Sequence, residues 1–209
     1  MIAAARKTVI FDLGGVLIDW DPRHLYRKLF PGDEAAMERF LREVCTGAWN
    51  LRQDAGRPWA EATAELRTRF PDQAPLIDAF HHRWPEMIAG PIEGTVRILR
   101  ELHAAGTPLY ALTNWSAETF PVALERFDFM ALFRGTLVSG AEGLVKPDPA
   151  IYRLILSRFS IDPAEAVFID DVPRNAEAAT ALGLHGIRFT SPEALRAELR
   201  RLGFPLRAG

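Results

Sequence analysis

Only one cysteine, Cys45, occurs among the 209 residues. No intramolecular disulfide can form, which fits a reducing cytoplasm. Cys45 lies between Val44 and Thr46 on a helical pattern with no flanking His or Lys. It reads as a packed thiol and not as a nucleophile. A long apolar run is also missing. Arg6 and Lys7 interrupt the N-terminal stretch and Asp12 follows, so neither a secretory signal nor a membrane span is expected. Nor is there a surplus of one charge. The formal net charge of -2 offers no broad attraction for nucleic acid or an anionic membrane. The basic run from Leu195 to Leu202 reads as a solvated helix face. Internal repeats and low-complexity tracts are absent. What remains is ordinary for a globular chain, at 48% hydrophobic and 25% charged. The length suits one sizeable core with a small insert.

Five short apolar runs predict strands: Thr8–Leu13, Pro108–Thr113, Thr136–Ser139, Ala166–Ile169 and Gly186–Phe189. Most are continuous, the pattern of strands buried on both faces. Helical patterns separate them. Val96, Leu99 and Leu102 share a face closed by Gly106, and Ser116 is placed to cap the next helix. Asp148-Pro149 starts another, Arg174–Leu182 stops at Gly183, and Ser191-Pro192 opens the last. This alternation predicts an α/β fold, a Rossmann-like parallel sheet with helices on both faces and ligands beyond the carboxyl ends of the strands. Between about Asp19 and Gly90 no strand is expected. Glu34–Thr46, Arg57–Phe70 and Pro75–Met87 read as amphipathic helices, a small α-helical cap inserted after the first strand. The expected division is core over 1–18, helical cap over 19–90 and core over 91–209.

Four strand-end pieces carry polar chemistry. The first strand runs out through Phe11-Asp-Leu-Gly-Gly-Val-Leu17, placing the Asp12 carboxylate against apolar residues, a costly position without a partner. Gly14 and Gly15 follow and let backbone approach a ligand. Thr113 and Asn114 put short polar groups at the second strand end, before an expected helix N-terminus that favours an anion. Lys146 lies in Gly143-Leu-Val-Lys-Pro-Asp-Pro149, between a turn and a helix start. Asp170-Asp171 follow Val167-Phe-Ile. Three carboxylates meeting one lysine would leave an excess of negative charge that a divalent cation answers. All-oxygen ligands without His or Cys point to Mg²⁺.

Together these pieces resemble the haloacid dehalogenase-like hydrolase superfamily over nearly the whole chain. The resemblance implies that Asp12 is the nucleophile and that the Thr113 hydroxyl holds the transferring group. It implies that Lys146 steadies the nucleophile, and that Mg²⁺ is bound by Asp12, Asp171 and the Gly14 carbonyl with Asp170 in support. It also implies the helical cap. The branch with this Asp-Leu-Gly start is similar to sugar-phosphate phosphatases, including an α-glucose-1-phosphate phosphatase.

One position departs from the family pattern. Where most family phosphatases carry an acid/base aspartate two residues after the nucleophile, this chain has Gly14. Asp19, Asp21 and His24 are substitutes within reach, of which Asp19 is nearest the hinge into the cap. The first reading is therefore a Mg²⁺-dependent phosphatase acting on a small phosphomonoester through an aspartyl-phosphate. Two alternatives are a metal-independent 2-haloacid dehalogenase and a non-catalytic member that binds a phosphorylated ligand. Trp20 and Trp115 are expected to line the substrate pocket, while Trp49, Trp59 and Trp84 read as cap core. Arg23, Arg52 and Arg57 are possible anion contacts. The adjacent His81 and His82 point apart on a helix and read as surface. A small phosphorylated molecule is the expected partner, with no nucleic acid or membrane, in a cytoplasmic monomer or homodimer.

Overall fold

The computed structural model describes residues 7–207. The first apolar run forms strand β1 (Thr8–Phe11). It stops short of the expected Leu13 because the chain turns there. The Leu13 carbonyl accepts from the N–H groups of Val16, Leu17 and Ile18 at 3.3, 2.8 and 2.9 Å.

Next come strand β2 (Ile18–Trp20) and the helices α1 (Arg23–Leu29), α2 (Glu34–Glu43), α3 (Gly47–Asp54), α4 (Trp59–Arg69) and α5 (Ala74–His82). Strand β3 (Ile88–Pro91) closes this segment and pairs antiparallel with β2. The expectation of no strand between about Asp19 and Gly90 is thereby corrected. A two-stranded ribbon forms the neck of the helical insert. Its strands are three and four residues long, too short to show a period, and one ends in Gly90-Pro91.

The insert also has more helices than its periodicity suggests. α1 and α3 were not expected, and Thr46 does not end a helix but begins one, its Oγ1 accepting from Trp49 N at 3.0 Å. Beyond α5, Pro85 lies in a separate 3₁₀ turn over Trp84–Met87. The insert core is aromatic. Tyr26 lies 5.0 Å from Phe40, and Trp49, Trp59 and Phe80 contact one another at 5.2–5.6 Å between ring centroids.

The remaining chain alternates as α6 (Glu93–Ala104), β4 (Leu109–Thr113), α7 (Pro121–Arg126), β5 (Gly135–Val138), α8 (Ser139–Glu142), α9 (Pro149–Arg158), β6 (Ala166–Asp170), α10 (Pro173–Ala181), β7 (His185–Arg188) and α11 (Pro192–Arg201). Five strands form one parallel sheet in the order β5-β4-β1-β6-β7. Alternate side chains of β1 explain why its run is continuously apolar. Val9 and Phe11 pack into one core with Val96, Leu99 and Leu102 of α6. Ile10 packs into a second with Ile151 and Tyr152 of α9 and Ala179 of α10. The helix starts at Asp148 and Ser191 are capped by their side chains, accepting from Ala150 N at 2.8 Å and Ala194 N at 3.2 Å. Ser116 does not cap a helix. It opens a turn, and α7 begins only at Pro121. Among the described residues, no helix is long and apolar enough to cross a membrane.

Candidate active site

Because β1 lies at the middle of the sheet, between β4 and β6, the carboxyl ends of those three strands converge. This is the switch point where open parallel sheets take their ligands. Asp12 leaves β1 with its backbone N–H still bonded to Ile169 O of β6 at 2.8 Å. Asp170 ends β6 and Thr113 ends β4, both buried. One carboxylate oxygen from each of Asp12, Asp170 and Asp171 falls within 4.8 Å of the others. The three acids expected to meet do meet.

Lys146 arrives from the loop before α9 and is 1% exposed. Its ammonium stands 2.8 Å from Asp12 Oδ1 and 2.7 Å from Asp170 Oδ2, and donates to Leu112 O at 3.0 Å. The Phe168 ring lies 5.6 Å beneath it. Burial alone would strip the lysine of its proton. Asp12 and Asp170 outweigh that and hold it above the ordinary lysine value. Asn114 fastens the loop: its Nδ2 donates to Lys146 O at 3.0 Å and its Oδ1 accepts from Lys146 N at 2.8 Å. Asn114 was expected on the substrate. Both ends of its amide are spent on positioning Lys146, although the residue also lines the adjacent cavity.

The three acids differ in what occupies them. Asp170 is fully buried and satisfied, accepting from Lys146, from Asn175 Nδ2 at 3.0 and 3.1 Å and from Val172 N at 2.9 Å. Asp171 is exposed. Burial of its surroundings and the Asp170 charge push its carboxyl upward. Asp12 is pushed up to about 8 by burial, with Lys146 opposing and Asp170 adding to the rise. A site with more buried carboxylates than cations takes up either a proton or a metal ion. The donor set is all oxygen, so the residues fit a hard divalent cation such as Mg²⁺. Gly15 brings Asp171 in. Its φ is +71°, and a Cβ there would sit 2.5 Å from Asp171 Oδ2. Gly15 was expected to let the backbone approach a substrate; its N–H is bonded to Ile18 O at 2.9 Å, and it shapes the turn.

The sequence model of the haloacid dehalogenase-like hydrolases matches residues 6–183. The chain belongs to that hydrolase family. Acyl-CoA dehydrogenase family member 10 of Mus musculus is 31% identical over 97% of this hydrolase, which spans only 20% of that longer relative. A sesquiterpene phosphatase of Aspergillus oryzae is 30% identical, over 94% of this chain and 96% of its own. A HAD family enzyme from Bacteroides thetaiotaomicron, solved in complex with magnesium and inorganic phosphate, shares the fold. Its TM-score is 0.68 at 24% identity, over 89% of this chain and 95% of that one. Solved dehalogenases share the fold too, at TM-score 0.66.

Beside the acids of the hydrolase lies a cavity of about 50 Å³, lined by Gly14, Trp20, Asn50, Asp54, Trp84, Asn114 and Trp115. Trp20 and Trp115, expected at the substrate, both line this cavity. Trp84, expected only in the insert core, lines the cavity as well, stacked on Trp20 at 6.3 Å and 5.1 Å from Trp115. The indole N–H groups of Trp20 and Trp115 and the Asn50 Oδ1 are buried without a partner. Larger surface depressions exist, such as the one between α6 and α11, but that one is lined by none of the strand-end acids.

Asp19 is not part of this cavity. On β2 its side chain is 51% exposed and its Oδ1 lies 3.0 Å from His24 Nε2, so the expected substitute acid points away. Asp21 is likewise engaged, by Arg23 N at 2.8 Å. The three arginines considered for an anion are paired inside the insert: Arg23 with Glu38, and Arg52 and Arg57 with Glu65. His82 is exposed, while His81 stacks on Trp59 at 5.1 Å, and burial lowers its pKa. Burial pushes the Cys45 thiol up to about 12, which leaves it inert at neutral pH. Asn50 and Asp54 were missed altogether. Both ride on α3, whose only sequence signals are the Thr46 cap and the glycine at 56.

Proposed function

We propose that the chain is a Mg²⁺-dependent phosphatase of a small phosphomonoester, a sugar phosphate or a molecule of similar size. The observation that carries this reading is the meeting of the Asp12, Asp170 and Asp171 carboxylates around Lys146. Asp12 is the nucleophile: its Oδ2 attacks phosphorus in line, since Oδ1 is already held by Lys146 and by Leu13 N at 2.7 Å. Lys146 steadies the attacking carboxylate and the charge that develops. Thr113 is buried at the end of β4, the strand beside β1, and its hydroxyl is assigned to the phosphoryl oxygens. Asp12, Asp171 and the Gly14 carbonyl are assigned to Mg²⁺, with Asp170 orienting Lys146 and the loop. Bound there, Mg²⁺ would offset the repulsion between the nucleophile and the anionic phosphoryl group.

The insert is assigned the role of a cap over the strand ends. Trp59 Nε1 donates to Ser116 Oγ at 3.1 Å, Trp59 N to Glu118 Oε1 at 3.0 Å, and Ser139 Oγ to Asp54 O at 2.5 Å, which ties α3 and α4 onto the core. With these bonds made, the free space beside Gly14 is small, so a substrate with a large leaving group requires the cap to lift. A free cysteine and the absence of any membrane-crossing helix among the described residues accord with work in the cytoplasm.

A panel of phosphomonoesters and 2-haloacids, run with Mg²⁺ and with EDTA, tests the reading. Phosphate release that requires Mg²⁺ and is abolished by Asp12→Asn is expected. Halide release that survives EDTA would overturn it in favour of dehalogenation. Stabilisation by Mg²⁺ and phosphate without turnover on any substrate would favour a binding protein.

A further inference from the structure

The strand-end site, taken as that of a phosphatase, holds no acid and base at position 14. Protonation of the leaving oxygen, and later deprotonation of the attacking water, needs an acid and base beside the phosphorus, and position 14 is glycine. The space that a side chain there would fill is empty: a Cβ on Gly14 would meet nothing within 4 Å. That space opens into the cavity lined by the three tryptophans, Asn50, Asn114 and Asp54. Asp54 is the one ionisable residue on its wall.

Resting on that reading, we propose that Asp54, carried on the cap helix α3, is the general acid and base of the hydrolysis, and that it supplies across the cavity what Gly14 lacks. Its carboxylate is positioned from both sides of the cap–core boundary. Asn50 Nδ2 donates to Asp54 Oδ2 at 3.1 Å, and the backbone N–H of Ser116, in the turn that follows β4, is directed at the same carboxylate. No cation forms an ion pair with it among the described residues, and the charged group that acts on it is Lys146 from the core. Burial raises its carboxyl to about 7, so near neutrality both protonation states are available. Asp19, by contrast, points to solvent and to His24.

The chemistry balances with Asp54 in this role. As Asp12 bonds to phosphorus, the bond from phosphorus to the leaving oxygen breaks and that oxygen takes the proton of the Asp54 carboxylic acid. The alcohol departs into the tryptophan-lined space. Asp54, now a carboxylate, takes a proton from a water molecule, whose oxygen attacks phosphorus and breaks the bond to Asp12. Inorganic phosphate leaves, Asp12 is again a carboxylate and Asp54 again carries its proton. Because Asp54 belongs to the insert, the acid is in place only with the cap seated on the core. Lifting of the cap would remove it and leave the phosphoryl site without an acid.

The test compares wild type with Asp54→Asn, using Mg²⁺, an alkyl phosphomonoester from the panel and p-nitrophenyl phosphate, whose leaving group needs no proton. A loss of kcat of roughly 10²–10⁴-fold on the alkyl ester is expected, the usual contribution of a general acid–base group. With p-nitrophenyl phosphate a burst of nitrophenolate is expected, followed by accumulation of covalently phosphorylated chain, since the first step proceeds and the water step stalls. Gly14→Asp placed in the Asp54→Asn background is expected to restore turnover, because the space it needs is already there. Unchanged kcat, or equal losses on both esters with no burst, would overturn the assignment. If thermal melting shows Asp54→Asn unfolded, Asp54→Ser and Asp54→Glu answer the same question with the same two outcomes. Turnover by wild type with unaltered Asp54→Asn kinetics defeats this inference alone. No turnover by wild type defeats the phosphatase reading and this inference with it.

Discussion

Replacing Lys146 with Met tests how much of the site is held by one buried charge. Methionine fills a similar volume, so the change removes the ammonium without opening a large cavity. That ammonium lies 2.8 Å from Asp12 and 2.7 Å from Asp170, with side-chain exposures of 1%, 10% and 0%. At an effective dielectric near 20, each contact is an attraction of about 6 kcal/mol. The desolvation of three ions offsets most of that sum. What is left after the substitution is the buried Asp170 carboxylate without its cation, beside an Asp12 carboxyl that burial already pushes up to about 8, and the cost of breaking such a pair is about 3–5 kcal/mol. That is a large share of the roughly 5–15 kcal/mol that stabilises a typical domain. In urea denaturation at neutral pH with EDTA, the midpoint is expected to fall by the corresponding amount at constant slope. Mildly acidic buffer narrows the gap, because the stranded carboxyls are then protonated. Mg²⁺ narrows it as well, because the ion faces the same carboxylates. A Lys146→Met variant as stable as wild type at neutral pH in EDTA would refute the reasoning, since the ammonium would then contribute nothing to holding the buried acids.

Two further predictions follow from the same geometry. Gly15→Ala is expected to lose roughly 1–2 kcal/mol from the left-handed backbone alone, and to weaken Mg²⁺ binding because its Cβ would displace the Asp171 carboxylate. A Mg²⁺ titration with unchanged affinity would contradict it. For Asp54, burial raises the carboxyl from 3.8 to about 7 in the fold. The protonated form is the one the fold favours, so this contribution is full below pH 3.8 and is lost as pH rises through 7. The neutral Asp54→Asn is therefore expected to gain on wild type with rising pH, by at most about 4 kcal/mol and by less to the extent that water reaches the group. Melting curves across that range check it, and a difference that does not change with pH would contradict it.

The parts of the molecule legible in the sequence were those with a repeated local signal. β1 and β6 announce themselves as continuous apolar runs because Val9, Phe11, Val167 and Ile169 face one core while Ile10 and Phe168 face the other. Asp12 follows β1, Asp170 ends β6 and Lys146 precedes the capped start of α9, so the three were legible in the sequence as one group. The insert was legible only as helical. β2 and β3 are too short for a period, and each depends on the other for pairing, a long-range contact that no window of sequence contains. α3 hides because its buried residues include the polar Gln53 and its moment is weak beside that of α2. Asp54 was invisible for that reason. Proximity in sequence favoured Asp19, but β2 turns that side chain outward, while the chain carries Asp54 around the insert and back to Gly14. Ser116 misled in the other direction: its hydroxyl receives Trp59 of the insert and Glu118 N of its own turn, so it serves the seam between insert and sheet and not a helix start.

The central claim about this hydrolase is that a carboxylate oxygen of Asp12 receives the phosphoryl group. Incubating the chain with Mg²⁺ and a turned-over phosphomonoester, quenching in acid and locating the phosphoryl group by peptide mass spectrometry measures this directly. The account predicts an acyl phosphate on the peptide carrying Asp12, absent from Asp12→Asn. Phosphate found on another residue, or steady turnover by Asp12→Asn, would contradict it.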